Sequence, residues 1–223
     1  MPTRLPLFPL GLVLVPGQPL PLHVFEERYR LMVRDLLDRP EDEREFGVVA
    51  IRSGREVGED GVLALHDVGC TARLRRVDPH PDGRFDLHTT GGRPFRLRGL
   101  EHTHAYLTGV VDLLPDDVGP PDEAAVLADG VRGAFADYLR ALAAAAGGRL
   151  EAPDLPSDPR ALSHLVTLGM RVDLDDRQAL LAEPDAVARL RAELALLRRE
   201  SQLMRLLSAV PVPELARVPL SPN

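Results

Sequence analysis

Residues 5–29 read LPLFPLGLVLVPGQPLPLHVFEERY, and this stretch decides the fold. Prolines interrupt its apolar runs, Leu5–Phe8 and Leu12–Val15, and proline is confined to the ends, edges and bulges of strands. The stretch therefore predicts short, kinked strands. A helix is predicted directly after them, because apolar side chains recur there at helical spacing. The side chains that we expect to pack against the sheet are Phe25, Tyr29, Met32, Val33 and Leu36.

Strand patterns continue to about residue 114. Residues 69–75 alternate apolar and polar side chains, and the Asp-Gly pair at 82–83 is typical of a tight hairpin turn. The Gly-Gly pair at 91–92 predicts a second turn, and residues 106–114 predict the last strand. Residues 52–68 are rich in glycine and charge, which favours a mobile loop. Closely spaced strands with tight turns favour a small antiparallel sheet or barrel.

The pattern becomes helical beyond residues 115–121, which form a proline-rich linker. Asp158 followed by proline predicts one helix start, and Asp175 with Gln178 resembles a capping box. Pro184 opens what we predict to be the longest helix, which carries a wide arc of apolar side chains.

These patterns predict an α+β fold. A small antiparallel β-barrel-like sheet with one helix comes first, and a helical bundle follows. We expect the division to fall at residues 1–118 and 119–210, with a disordered tail over residues 211–223. Four prolines in that tail favour disorder.

The composition excludes several classes of chemistry. All 27 basic residues are arginine, and lysine is absent from the sequence. A Walker-A phosphate loop, a Ser-Lys dyad and a pyridoxal-phosphate Schiff base each require a lysine. The formal net charge is -7, and neither half of the chain has a basic surplus. We therefore expect no cofactor, no binding to nucleic acid and no binding to anionic membranes.

The single cysteine, Cys70, cannot form an intramolecular disulfide, which fits a reducing compartment. The apolar N-terminus imitates a signal peptide, but Pro6, Pro9 and Pro16 interrupt it. We therefore expect a mature cytoplasmic protein without a membrane span.

The opening residues carry a family resemblance. LPLFPL at 5–10, VPG at 15–17 and PLHVFEERY at 21–29 are similar to the N-terminal substrate-recognition domain of the bacterial Lon protease. The resemblance continues through FGVV at 46–49 and GCTA at 69–72 into the helical part, over roughly residues 4–208. It implies a barrel-like sheet around one helix, followed by a helical bundle.

The resemblance also implies a function. It favours a non-catalytic module that binds unfolded or exposed protein segments, as an adaptor or a chaperone-like factor, with a protease as one candidate partner. Full-length Lon adds an ATPase and a Ser-Lys protease module, and we expect neither here. We expect a monomer or a weak homodimer. A separate alternative is a purely structural or oligomeric role through the final helix.

The candidate protein-binding surface lies on the proline-kinked strands, because their apolar residues are too dense for one sheet face. It comprises Phe8, Leu10, Leu12 and Leu14. The alternative is that these residues simply close the barrel, and for Phe8 we favour that alternative. We expect the junction between sheet and bundle to complete a concave surface there.

One alternative is a small-molecule hydrolase or a metal-dependent enzyme. It would use the region around His80, His88, His102 and His104. His102 and His104 would share one face of a strand, but a metal needs three or four converging ligands. No known ligand spacing is matched, so we assign no catalytic residue and no metal ligand.

Overall fold

A computed structural model describes residues 3–53, 64–145 and 153–209 of the chain. Its seven strands are β1 (Thr3–Leu10), β2 (Pro19–Val24), β3 (Glu45–Ser53), β4 (Ala64–Leu65), β5 (Val68–Pro79), β6 (Phe85–Glu101) and β7 (Thr108–Leu113). Its helices are α1 (Glu27–Leu37), α2 (Pro121–Ala145), α3 (Pro159–Gly169), α4 (Leu174–Ala182) and α5 (Ala186–Ala209). A short 3-10 turn spans Glu41–Glu43.

The sheet closes on itself. β1 pairs antiparallel with β7 and parallel with β3, while β5 and β6 link β3 back to β7. Alternate residues of β1 point to opposite faces, so Leu5 and Leu7 join one apolar cluster and Phe8 joins the other. The predicted α+β fold is confirmed, with one parallel pair inside an otherwise antiparallel barrel.

The long strand β6 organises the barrel. Its first half pairs with β2 and its second half with β7, both on the edge opposite β5. The pairing with β5 shifts register between Cys70 and Ala72, beside Pro94. Proline is tolerated at such an irregularity because no regular ladder bond is lost there.

The predicted turn at 91–92 is wrong, because β6 runs straight through both glycines. A Cβ atom at Gly91 would lie 2.1 Å from the carbonyl oxygen of Val15. Glycine at this position therefore allows the β1–β2 connection to pack directly on the strand. Backbone hydrogen bonds from Gly17 to Gly91 and from Gly91 to Gln18 hold that connection in place.

Helix α1 covers the larger cluster with Tyr29, Met32, Val33 and Leu36, all buried as predicted. The prediction that Phe25 packs against the sheet is wrong, because 53% of this residue is exposed. The helix begins only at Glu27, so the helical spacing that included Phe25 does not apply to it. A further contact anchors the helix, because Arg30 Nε donates to the Gly83 carbonyl at the tip of the predicted hairpin, 2.7 Å away.

The helices α2, α3 and α5 share a second core, which includes Phe135, Tyr138, Leu162, Val166 and Leu190. Helix α4 bridges this bundle to the barrel, because the buried Gln178 side chain donates to the Val68 carbonyl of β5 at 2.9 Å. In the part of the chain that the structure describes, every strand precedes residue 114 and the bundle helices follow residue 120.

Three predictions about the helices had different outcomes. Asp158 caps α3 as expected, by accepting from the backbone N–H of Arg160. The predicted capping box is wrong, because Asp173 caps α4. Helix α5 is not the longest in the described ranges, since α2 has 25 residues and α5 has 24.

Two predicted segments fall outside the described residues. They are most of the predicted mobile loop, at 54–63, and the whole predicted tail.

Candidate functional site

The four residues of the predicted binding surface have different environments. Phe8 and Leu14 are buried in the barrel core, and the Phe8 ring stacks on Tyr29 at 4.1 Å between centroids. Leu10 and Leu12 are only partly buried against the same core. A ligand could therefore reach Leu10 and Leu12 without opening the fold, but not the other two.

The connection that follows Leu12 turns sharply onto the barrel. Gly17 has a φ of 79°, a conformation that glycine adopts without steric cost. The Val15 N–H donates to the Gln18 side chain at 3.2 Å, which closes the turn. Pro16 and Gly17 consequently stand at the surface, facing the helical bundle.

Helix α3 approaches this turn from the other side. Leu162 and Val166 are buried in the bundle core. Ala161, Leu165 and Leu168 lie on a different face and remain wholly or partly exposed. Two apolar surfaces, one from the barrel and one from the bundle, therefore face each other.

The space between them is a cavity of about 410 Å³, here named the junction pocket. It is lined by Pro16, Gly17, Asp116, Asp158, Arg160, Ala161, His164, Leu165 and Leu168. Its walls are mainly apolar with a few polar groups among them, which is the usual composition of a site for an apolar ligand with a few orienting contacts.

The polar side of the junction pocket is a connected network. Asp116 accepts from Arg189 at 3.1 Å and contacts His164 Nε2 at 3.2 Å. Burial alone would raise the pKa of Asp116, but the hydrogen bond with His164 and the charge of Arg189 lower it overall. Burial lowers the pKa of His164, which favours a neutral imidazole that donates to the carboxylate.

Ser163 is held in the same network but is not activated. Its hydroxyl donates to the Arg160 carbonyl at 3.1 Å and accepts from Arg189 Nε at 2.7 Å. Neither partner can take up the hydroxyl proton, and a serine nucleophile needs an adjacent base. The arrangement can bind and orient a ligand, but it contains no activated nucleophile.

A buried carboxyl lies behind this network. Glu193 of α5 accepts from the Thr167 hydroxyl at 2.7 Å, and its other oxygen has no hydrogen-bond partner among the residues that the structure describes. Burial raises the pKa of Glu193 to about 8. Burial therefore favours the protonated form of this carboxyl.

Sequence reasoning missed Arg189 and Glu193. Both lie in the long helix, where charged side chains are normally solvent-exposed. Their helical spacing of four could have suggested one shared face, but only the packed bundle shows that this face is buried.

The four histidines of the enzyme alternative have separate surroundings. His80 Nε2 lies 2.7 Å from Asp86, and His88 Nε2 lies 3.3 Å from Asp78. His104 stacks on a tyrosine ring, and both His102 and His104 lie between β6 and β7. The expected strand face for those two is therefore wrong, because β6 ends at Glu101.

Cys70 shows no sign of reactivity. It is fully buried, and burial raises the pKa of its thiol. A catalytic cysteine requires the opposite shift. Cys70 therefore behaves as a small apolar core residue.

The end of α5 presents apolar side chains to solvent, namely Leu203 and Leu206. Three arginines, Arg191, Arg198 and Arg205, recur every seven residues along α5. The first of them pairs with Glu123 of α2. Arg198 and Arg205 line a groove between α2 and α5 together with Asp137.

No helix within the described ranges combines the length and the apolar character needed to cross a bilayer.

Comparison with known proteins identifies relatives over most of the chain. A family model described as the ATP-dependent protease La (LON) substrate-binding domain matches residues 4–199. Lon protease 2 of Myxococcus xanthus is 25% identical over 208 residues, covering 92% of this chain and 25% of that protein. Lon protease of Anaeromyxobacter dehalogenans (strain 2CP-C) is 24% identical, with 92% and 24% coverage. The chain thus spans about a quarter of the length of these relatives.

Solved structures show the same architecture. The Lon N-terminal domain protein from Xanthomonas campestris superposes with a TM-score of 0.59 at 28% identity, covering 86% of this chain and 98% of that one. The N-terminal domain of Mycobacterium avium complex Lon protease gives a TM-score of 0.58 at 17% identity, with 88% and 98% coverage. The second likeness concerns the fold alone.

Proposed function

This chain belongs to the family of Lon substrate-binding domains, and from that premise we propose that it is a non-catalytic module that binds unfolded or exposed protein segments. The junction pocket is the observation that carries the proposal. It is an open, mainly apolar cavity at the surface, formed where the two halves of the fold meet.

The shape and chemistry of the junction pocket suit an apolar side chain on an extended segment. Leu165 and Leu168 offer contact surface on the bundle side, and Pro16 offers it on the barrel side. At the rim, Asp158 and Arg160 are ion-paired at 3.2 Å. The lone pairs and N–H groups that lie outside this pair can still accept from a backbone N–H and donate to a carbonyl of a ligand. Contacts of this kind recognise exposed apolar residues without demanding one sequence.

Leu10 and Leu12 extend the proposed surface. Leu10 ends β1 and Leu12 lies on the connection that leads to Pro16, and both are partly exposed beside the barrel core. Phe8 and Leu14 are buried in the core beneath this surface, where they fix the position of the connection.

The proposed partners are protein segments, in an adaptor or chaperone-like role that can include delivery to a protease. The formal charge of -7 argues against nucleic acid and anionic membranes as partners. We place the protein in the cytoplasm as a monomer or weak homodimer, with residues 1–118 and 119–210 as its two parts.

A matched pair of variants tests the junction pocket. Ala161→Glu places a charge on its wall, whereas Ala125→Glu places the same charge on an exposed position of α2 outside the pocket. Both alanines lie near helix N-termini, where glutamate is well tolerated. Binding of fluorescently labelled, reduced lactalbumin is followed by anisotropy.

We expect Ala161→Glu to weaken binding by roughly tenfold or more, equivalent to about 1.4 kcal/mol, and Ala125→Glu to leave it within twofold. Equal affinity for both variants and the unmodified protein would place the binding surface elsewhere. No binding of unfolded protein at any concentration would overturn the proposed function itself.

A further inference from the structure

Two histidines and one aspartate converge at the far end of the barrel, on the β2 and β5–β6 side. His23 comes from β2, His80 from the turn after β5, and Asp86 from β6. His23 Nδ1 lies 2.6 Å from one carboxylate oxygen of Asp86, and His80 Nε2 lies 2.7 Å from the other. The three potential ligand atoms all lie within 4.8 Å of one another.

This donor set suits a borderline divalent cation. Imidazole nitrogen and carboxylate oxygen are zinc ligands at about 2.0–2.2 Å, and a tetrahedral site therefore separates them by roughly 3.3 Å. The distances of 2.6 and 2.7 Å are hydrogen bonds to the two different oxygens of Asp86, so a cation requires both imidazoles to turn from these oxygens toward one shared point, starting from ligand atoms that lie within 4.8 Å of one another. All three side chains are partly exposed, at 45%, 37% and 43%, so small rotations can provide this movement.

The surrounding charges do not oppose a cation. Arg84 lies 3.4 Å from His23 Nε2, but its guanidinium is paired with Asp82 at 2.7 Å. Arg76 is likewise paired with Asp78, which also contacts His88. Both of these arginines are thus paired with an aspartate other than Asp86, and Arg30, which contacts the turn at Gly83, is paired with Glu27, so the Asp86 carboxylate faces the two imidazoles.

We propose that His23, His80 and Asp86 form a binding site for one zinc-like divalent cation, with a fourth coordination position open to solvent. The site joins β2 to the turn and strand that follow β5. Occupancy therefore stabilises the folded barrel, because a ligand that binds only the folded state raises its stability by mass action. This inference is independent of the junction pocket and of protein binding.

The competing explanation is an ion-paired cluster in which Asp86 simply holds the two histidines. Three variants remove one proposed ligand each: His23→Ala, His80→Ala and Asp86→Asn. His88→Ala is the matched control, because His88 is a neighbouring, partly exposed histidine that contacts Asp78 instead. Tag-free protein is titrated with Co²⁺, followed by its visible absorption, and with Zn²⁺, followed by calorimetry.

We expect one equivalent of Zn²⁺ or Co²⁺ to bind, with Co²⁺ absorption typical of a four-coordinate site and a rise in the melting temperature. Each ligand variant should weaken binding at least tenfold, and His88→Ala should leave it within threefold. Absence of stoichiometric Zn²⁺ binding at micromolar concentration, or an equal loss in His88→Ala, overturns the proposal. Circular dichroism of every variant confirms that a loss of binding is not a loss of folding.

Discussion

Tyr29 lies 4% exposed, with its ring 4.1 Å from the ring of Phe8 and the Arg28 guanidinium 4.7 Å from its centre. It therefore connects the first helix to the first strand. The contribution of an aromatic side chain to the stability of the fold depends on such contacts. Phe25 differs from Tyr29 in this respect. Phe25 has the same aromatic character four residues earlier but is half exposed.

Tyr29→Ala should lower the free energy of unfolding by about 3–5 kcal/mol, because the substitution leaves a cavity in the core and removes a stacked aromatic pair. Phe25→Ala is the control and should cost clearly less, on the order of 1 kcal/mol, because only about half of this side chain is buried. Urea denaturation followed by circular dichroism measures both. Similar losses for the two variants would show that the helix packs differently from the structure described above.

The buried carboxyl of Glu193 predicts how the stability of the protein depends on pH. Its pKa is about 8 in the folded protein and has its ordinary value near 4.5 in the unfolded chain. Between these values the folded state binds one more proton, so stability falls as pH rises from about 4.5 to 8 and is level above that. Glu193→Gln removes this dependence.

We expect the Glu193→Gln variant to gain stability relative to the unmodified protein as pH rises across that range. The difference in unfolding free energy should grow by a few kcal/mol in total, at up to about 1.4 kcal/mol per pH unit. Taking the difference cancels groups that both proteins share, including His164, whose lowered pKa acts in the opposite sense. A difference that is constant with pH would mean that Glu193 is ionised when buried.

At the scale of elements, the β1–β2 connection depends on strand β6. The connection can approach the strand closely at Gly91, because the carbonyl oxygen of Val15 occupies the space where a side chain of residue 91 would lie. The same connection carries Pro16 and Gly17 to the junction pocket. Strand geometry and pocket geometry are therefore coupled.

Gly91→Ala should destabilise the protein by roughly 1–3 kcal/mol, because its Cβ would lie 2.1 Å from a backbone oxygen that cannot rotate away. Gly99→Ala, in the same strand, is the control, since no atom lies within 4 Å of its Cβ position. Thermal unfolding compares them. If binding occurs at the junction pocket, Gly91→Ala should also weaken it, whereas equal stability of the two variants would contradict the close approach.

At the scale of the whole molecule, specific contacts join the barrel and the bundle, such as the Gln178 side chain on the Val68 carbonyl and the Asp116–Arg189 pair. Asp116 also lines the junction pocket, which therefore lies beside the second contact. Binding there should therefore be detected on both halves of the fold.

Hydrogen exchange with and without reduced lactalbumin should show added protection at residues 12–24 and 158–168 together. The reason is that one ligand would cover both walls of the junction pocket at once. Protection confined to the end of α5 would move the binding surface to its exposed leucines, Leu203 and Leu206.

The purified chain should degrade no casein, with or without ATP. The sequence contains no lysine for a Ser-Lys dyad or a phosphate loop, and the buried Ser163 hydroxyl beside the junction pocket bonds the Arg160 carbonyl and Arg189 and no base among the described residues. Peptide release followed by mass spectrometry measures this. Casein cleavage that disappears on substitution of one serine would contradict it.

Local patterns in the sequence determined the class of fold, the order of strands and helices, the buried face of α1 and the cap at Asp158, because each depends on residues within a few positions of one another. The resemblance at residues 5–29 likewise identified the family. Only the tertiary structure decided the rest. In the folded protein Phe8 and Leu14 are buried, and the β1–β2 connection packs on Gly91 of β6. Arg189 and Glu193 lie behind the junction pocket. The tertiary structure also brought His23, His80 and Asp86 together across as many as 63 residues. These outcomes depend on pairs distant in the chain, and periodicity carries no information about which distant surfaces meet.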